Sequence, residues 1–255
     1  MGNLFATAGL DAGYATARPP VHPRVIEKFR RQVAPVEKLN LVLDVGCGAG
    51  LSTGPLDMLA RRVVGLEPAA SMLRSRRLTA PSASFVAGRA EALPFRDASV
   101  DLITAAGSLN YVDLEDFFGE ARRVLVASGG IAVYDFSPGR RFRRSDALEK
   151  WFAGFMLRYP QARDGARFLD PETLAEVAAG GFEPRWQERF EIVLTLDGAF
   201  YEKYMMTETN VAYAVAAGTP VEEIGAWCRE TLGPVFEGVP REVIFEGYVA
   251  YWRRR

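Results

Sequence analysis

Residues 39–50 read LNLVLDVGCGAG, and this stretch decides the fold. Seven mostly apolar residues, 39–45, make a short run with the length and composition of a buried parallel strand. The glycines at 46, 48 and 50 then predict a tight turn opening into a helix. Glycine admits left-handed backbone angles and lets a ligand approach without a Cβ in the way. In an open α/β sheet, ligands bind beyond the carboxyl ends of the strands, so a cofactor is expected at this turn.

Outward from the turn, strands and helices alternate. Residues 51–61 are expected to be helical, 62–66 a strand, 69–78 a helix, 84–87 a strand and 100–105 (VDLITA) another. An amphipathic helix is predicted over 113–126, with Leu114, Phe117, Phe118, Ala121, Val124 and Leu125 on one stripe. Ser128-Gly129-Gly130 should end it before a fifth strand, 131–136. This alternation implies right-handed crossovers and a parallel sheet. Beyond it, a helix led by Pro171 is expected to 179, a long strand over 182–195, mostly helical pattern from 197 to 237, and a last strand over 243–252.

Spacing narrows the choice of cofactor. A dinucleotide fingerprint would place its third glycine at 51, which is Leu51. No Gly-Lys-Ser/Thr supplies a nucleotide P-loop either. Asp44 would repel a pyrophosphate, whereas a ligand carrying ammonium and sulfonium charges would suit it.

These residues resemble the first motif of class I S-adenosylmethionine-dependent methyltransferases, and later landmarks follow in order across residues 38–137. The likeness is greatest to small-molecule enzymes of the ubiquinone/menaquinone-biosynthesis type. It implies a doubly wound, mostly parallel seven-stranded sheet with a helical lid from insertions. It also implies that Asp44, Gly46, Cys47, Gly48 and Gly50 surround the methionine part of the cofactor. Cys47 would act through its backbone, not as a nucleophile. Glu67, in VVGLEPAASML, matches the acid that accepts both ribose hydroxyls, with Pro68 and Met72 beside it. GRAEALPF (88–95) resembles the adenine-side loop. The acid usual before Ala-Glu is here Arg89, which cannot accept the adenine amino bond. That leaves the backbone of Ala90 and Glu91 for adenine, and Arg89 for solvent. SVDLITAAGSLNY (99–111) resembles the fourth strand and the loop under the methyl group, placing Ser108 at the cofactor and Asn110 and Tyr111 near the acceptor.

Residues 5–23 resemble an amino-terminal segment with a Tyr-x-x-x-Arg-Pro core, in which Tyr14 and Arg18 close over the cofactor's carboxylate end. His22, the sole histidine, is the candidate base. Domain expectations are an arm (1–37), a cofactor-binding core (38–138), a lid insertion (139–169), a core helix and strand (170–196), a helical lid (197–238) and a last core strand (239–255).

Bulk properties bound the rest. The 255 residues carry 31 Lys+Arg against 32 Asp+Glu, a net charge of −1, which argues against a dedicated nucleic-acid binder. Two cysteines suggest no disulfide framework, and one histidine without a Cys-x-x-Cys suggests no metal site. The first twenty residues lack the pattern of a secretory signal or a myristoylation site, and no apolar run reaches the roughly 18 residues of a membrane helix. The expectation is a cytoplasmic monomer or homodimer acting on a small molecule, without nucleic acid or membrane as partner. The run RRFRR (140–144) reads as a solvated loop, or as a grip for an anion. The aromatic and methionine residues Phe200, Tyr201, Tyr204, Met205, Met206, Tyr213 and Trp227 read either as the wall of an apolar acceptor pocket or as core, with Glu208 and Tyr204 as further candidates for a base. An RNA or protein methyltransferase, a non-catalytic cofactor-binding scaffold and a nicotinamide oxidoreductase are the alternatives. Asn110 is not followed by Pro-Pro-Tyr/Phe, which counts against the first.

Overall fold

The computed structural model describes residues 15–33, 37–161, 167 and 169–255. Tyr14 lies outside the described residues. The chain divides into two compact units. The larger is Val21–Phe136, Gly165–Phe190 and Gly247–Arg255; the smaller is Met1–Pro20, Ser137–Asp164 and Glu191–Glu246.

In the larger unit, β1 (Leu39–Val45), β2 (Ala60–Glu67), β3 (Ser84–Ala87), β4 (Val100–Ala106) and β5 (Leu125–Phe136) pair in parallel in the order β3-β2-β1-β4-β5. The strand β8 (Arg241–Arg254) joins β5 antiparallel, Asp135 facing Tyr248, and β7 (Phe182–Leu196) pairs with β8. The fold is therefore the expected α/β Rossmann-like one, with an antiparallel edge. Chain order reverses direction at β1, between β2 and β4, and a crevice at the carboxyl edge is expected at such a switch point.

Burial explains the strands. Leu43, Ile103, Val100 and Ile131 are fully buried, beneath Phe117, Ala121 and Val124 of helix α3 (Leu114–Val124) and Leu174 of α5 (Pro171–Ala178). Each helix begins at an aspartate cap: Asp113 accepts the Asp116 N–H at 3.1 Å, and Asp170 the Thr173 N–H at 2.8 Å. A further helix, α1 (Val21–Val33), buries Val21, Val25, Ile26 and Phe29 on one stripe.

Two expected helices are shorter than their sequence suggests. Over 51–61 only a 3-10 turn forms, Gly54–Met58; over 69–78 there is a 3-10 turn, Met72–Ser75, and the short α2, Arg76–Thr79. Gly54-Pro55 is poor helix sequence. The Ser52 and Thr53 hydroxyls are drawn to Asp44, and the Thr79 hydroxyl to the Ala49 carbonyl, bonds that compete with regular helix. Strand β5 in turn starts six residues earlier than expected. Gly129 and Gly130 lie inside it, because a Cβ at Gly130 would come within 2.5 Å of the Tyr251 ring.

The smaller unit holds α4 (Ala147–Arg158), α6 (Gly198–Met205), α7 (Thr209–Ala216), α8 (Val221–Phe236) and the two-residue β6 (Arg141–Phe142), which pairs with Val243 and Ile244. Trp151 stacks on Phe155 and Trp227 with ring centroids 5.3 and 5.7 Å away, and Tyr201, fully buried, donates its hydroxyl to the Gly139 carbonyl. Tyr204 and Met205 are buried with them. Phe200, Met206 and Trp227 are half-buried and Tyr213 is exposed, so only part of the cluster is core. In the RRFRR run Arg140, Arg143 and Arg144 are exposed, as in a solvated loop, while Arg141 lies 2.5 Å from Glu191 and 2.7 Å from Glu246, and Arg143 lies 3.5 Å from Glu242. Among the described residues, no helix is long and apolar enough to cross a membrane.

Candidate functional site

The turn after β1 is held from both neighbouring strands. The Gly46 and Cys47 N–H groups both donate to the Leu66 carbonyl, at 2.8 and 3.0 Å. Gly46 has φ +67°, and a Cβ there would stand 2.3 Å from the Ser108 Cβ, so only glycine fits. Ser108 in turn donates its hydroxyl to the Val45 carbonyl at 2.6 Å. Gly48 is the open position of the turn: the nearest atom to a Cβ built on it is the Met72 Cε, at 3.5 Å.

Asp44 is turned into the fold. It is fully buried, and its carboxylate accepts hydroxyl bonds from Ser52 and Thr53 at 2.7 Å and from Thr104 at 2.9 Å. Burial pushes its carboxyl above the usual carboxylate range, with the three hydroxyls opposing. Its role here is to tie β1, β4 and the first residues after the turn together.

Glu67 lies at the end of β2, next to the turn. Its Oε2 accepts the Gly48 N–H at 3.0 Å and its Oε1 the Ala69 N–H at 2.9 Å. Each carboxylate oxygen has two lone pairs, so one per oxygen stays available to a diol. That donor–acceptor arithmetic fits the ribose of an adenosyl group. Cys47 is buried, and burial together with the Asp44 and Glu67 charges raises its thiol far above the ordinary value, so it is no nucleophile at neutral pH.

On the far side of β2, Pro68 is exposed, Ala90 is buried and Glu91 half-buried. Arg89 is 73% exposed along its side chain and reaches only Glu91, at 3.4 Å. Solvent exposure is what the sequence suggested for it.

Past β4, Asn110 is half-buried and Tyr111 is 61% exposed. The Asn110 Nδ2 lies 3.5 Å from the Asp135 carboxylate at the end of β5. His22 Nδ1 sits 2.9 Å from the Tyr134 hydroxyl, with its ring edge-on to Phe136. The structure thus brings Asn110 beside Asp135, while His22 packs on Tyr134 and Phe136, the two neighbours of Asp135 along β5. Sequence reasoning missed Asp135; its signal was a lone acid closing the apolar strand IAVYDF. Thr104, Ser52 and Thr53 were missed as well, as partners of Asp44.

In the smaller unit, Arg18 donates to Glu208 Oε1 and to the Thr207 carbonyl, both at 2.9 Å, and lies over the Tyr204 ring. The Arg18 and Glu208 charges thus meet each other, and Glu208 is a residue considered as a base. A cleft of about 560 Å³ between α3 and α5, lined in part by Phe118, Arg122 and Glu176, touches none of the ends of β1 to β5.

Residues 43–133, the span of the turn and of all five parallel strands, match the family described as a methyltransferase domain. This span of the chain carries a methyltransferase domain. That domain is 36% identical over 97 residues to a demethylmenaquinone methyltransferase of Renibacterium salmoninarum, covering 38% of this chain and 41% of that one. A protein of Mycobacterium tuberculosis named as a probable S-adenosylmethionine-dependent methyltransferase is 28% identical over 199 residues, covering 66% and 72%. The first curated relatives, by contrast, are matched over only about half of their own length. Among solved structures, one assigned provisionally as a type II methyltransferase from Anaeromyxobacter dehalogenans superposes with a TM-score of 0.64 at 22% identity, over 93% of this chain and 96% of that one. That likeness speaks for the fold of the methyltransferase domain.

Proposed function

We propose that this chain transfers the methyl group of S-adenosylmethionine to a small organic acceptor. The observation that carries the reading is the clasp of Glu67 on the Gly48 N–H, which sets a two-oxygen acceptor beside the glycine-rich turn. In this reading the turn lets the methionine part lie against backbone, Glu67 takes the ribose hydroxyls, and Ala90 and Glu91 flank adenine. Asp44 acts at one remove, by holding the turn.

The methyl is already activated as a sulfonium, so the chain's contribution is to hold acceptor and methyl in line at short range. A small acceptor is favoured over RNA by the net charge of −1 and by the carboxylates that meet Arg141 and Arg143. The name of the Renibacterium relative, which refers to a quinone, supports the same class.

Calorimetric titration of the protein with S-adenosylmethionine and S-adenosylhomocysteine, with NADH as control, tests the cofactor half of the reading. Binding of both, lost in Glu67→Ala and not seen with NADH, is the expected result. A wild-type protein that binds neither would sink it.

A further inference from the structure

The strand order gives the candidate site a direction. Along the carboxyl edge Ala87 faces Glu67, Leu66 faces Val45, Val45 faces Ala105, and Ala106 faces Tyr134. On the reading just proposed, on which this inference rests, adenine lies toward β3, ribose at β2 and the methionine part at β1. The reactive methyl then points to β4 and β5, and the acceptor lies over their ends.

A single acid stands in the carboxyl-terminal halves of those two strands, Asp135. Its Oδ1 accepts the Phe136 N–H at 2.8 Å, and its Oδ2 lies 3.5 Å from the Asn110 Nδ2. On the β4 side the chain has glycine, Gly107 at φ +61°, where a Cβ would stand 2.9 Å from the Asp135 Oδ1. The carboxylate is half-buried, held on two sides and kept clear of side chain on a third.

We infer that Asp135 receives the acceptor's proton and that the acceptor is a hydroxyl compound, with Asn110 positioning the carboxylate. As the hydroxyl oxygen forms its bond to the methyl carbon, the carbon–sulfur bond breaks and its electron pair stays on sulfur, giving the neutral thioether. The hydroxyl proton passes to the Asp135 carboxylate and leaves to water after the product departs. A weakly basic aromatic amine, neutral at pH 7, could shed its proton after transfer and would need no such group. Burial raises the Asp135 carboxyl above the usual carboxylate range, while the Phe136 N–H and Asn110 lower it, which makes it a better proton acceptor than a surface aspartate. The titratable groups around it are Tyr248 across the β5–β8 pair, the adjoining Tyr134, and His22 of α1 behind Tyr134; the residue next to it from the loop after β4 is Gly107, which carries no charge.

The test uses radiolabelled S-adenosylmethionine and phenols graded in acidity from phenol to 4-nitrophenol, with wild type, Asp135→Asn and Asp135→Glu. Asp135→Asn should keep its affinity for S-adenosylhomocysteine within about twofold and lose about 100-fold in kcat on phenol. It should lose far less on 4-nitrophenol, which is largely ionised, and Asp135→Glu should recover part of the loss. With phenol, the rate of Asp135→Asn should climb with pH in step with the phenolate fraction. An equal loss across all the phenols, or none, overturns the assignment. A wild type that binds S-adenosylhomocysteine but methylates no phenol overturns the hydroxyl class and leaves the cofactor reading standing. Failure to bind S-adenosylhomocysteine at all would instead remove the proposed function.

Discussion

The carboxylate of Glu67, at the end of β2, accepts the backbone N–H of Gly48 in the turn after β1 at 3.0 Å, so one side chain ties the end of β2 to the turn. Glu67→Gln exchanges one of its two acceptor oxygens for a donor. Hydrogen bonds to a charged group contribute roughly 1.5–3 kcal/mol, so affinity for S-adenosylhomocysteine should fall about 10- to 100-fold, as read by calorimetry. Unchanged affinity would separate Glu67 from the cofactor.

Gly46 tests the geometry of the turn itself. Gly46→Ala drives a Cβ to within 2.3 Å of the Ser108 Cβ, at a φ that disfavours any side chain. Overpacking of this kind costs about 1–3 kcal/mol, with backbone strain in addition. Thermal denaturation should show the loss, and adding Ser108→Gly should restore the part due to the clash while leaving the strain. A double variant no more stable than Gly46→Ala would contradict the packing.

How much of this was legible beforehand depends on which physical signal each element carries. Strands such as β1 and β4 announce themselves by unbroken apolar runs, and the glycine turn by spacing. The segments after β1 and β2 read as helices because their apolar periodicity is helical. What shortens them is tertiary: Asp44 gathers Ser52 and Thr53, and Thr79 reaches back to Ala49, and no local pattern encodes those partners. The same holds at the site. Glu67 is readable through its match, at a strand end, to the acid of the family it resembles, whereas Asp135 gains meaning only once β4 and β5 are neighbours and Asn110 comes beside it.

Asp44 makes stability depend on pH in an unusual sense for an aspartate. Its folded pKa is raised above the ordinary 3.8, chiefly by burial. A raised folded pKa gives stability that is complete below the unfolded value and is lost as pH climbs through the folded one. Asp44→Asn has no such dependence, so the stability of wild type minus that of the variant should shrink from about pH 4 upward. Denaturant melts of both proteins at a series of pH values measure this; a difference that grows with pH would refute the buried-carboxylate account.

The two cysteines should be inert in the folded chain. Both are buried; burial raises Cys47 strongly and pushes Cys228 up to about 12. Alkylation by iodoacetamide at pH 8, followed by mass spectrometry, should label neither in the native protein and both in denaturant. Rapid native labelling of Cys47 would mean that the turn opens far more than its two bonds to the Leu66 carbonyl suggest.

Arg18 and Glu208 offer a test that separates stability from binding. Their side chains are 19% and 13% exposed, and they meet at 2.9 Å within the smaller unit. Removing one partner of a largely buried ion pair leaves the other charge uncompensated, at a cost of about 3 kcal/mol. Arg18→Met and Glu208→Gln should each destabilise by about that much, and the double variant should be no worse than either single one. The sequence had Arg18 reaching for the carboxylate of the cofactor. If that were its main work, Arg18→Met would weaken S-adenosylhomocysteine binding with little change in melting, and Glu208→Gln, by freeing Arg18, would strengthen it. Loss of stability in both singles, with coupling in the double, would instead make the pair an internal tie of the smaller unit.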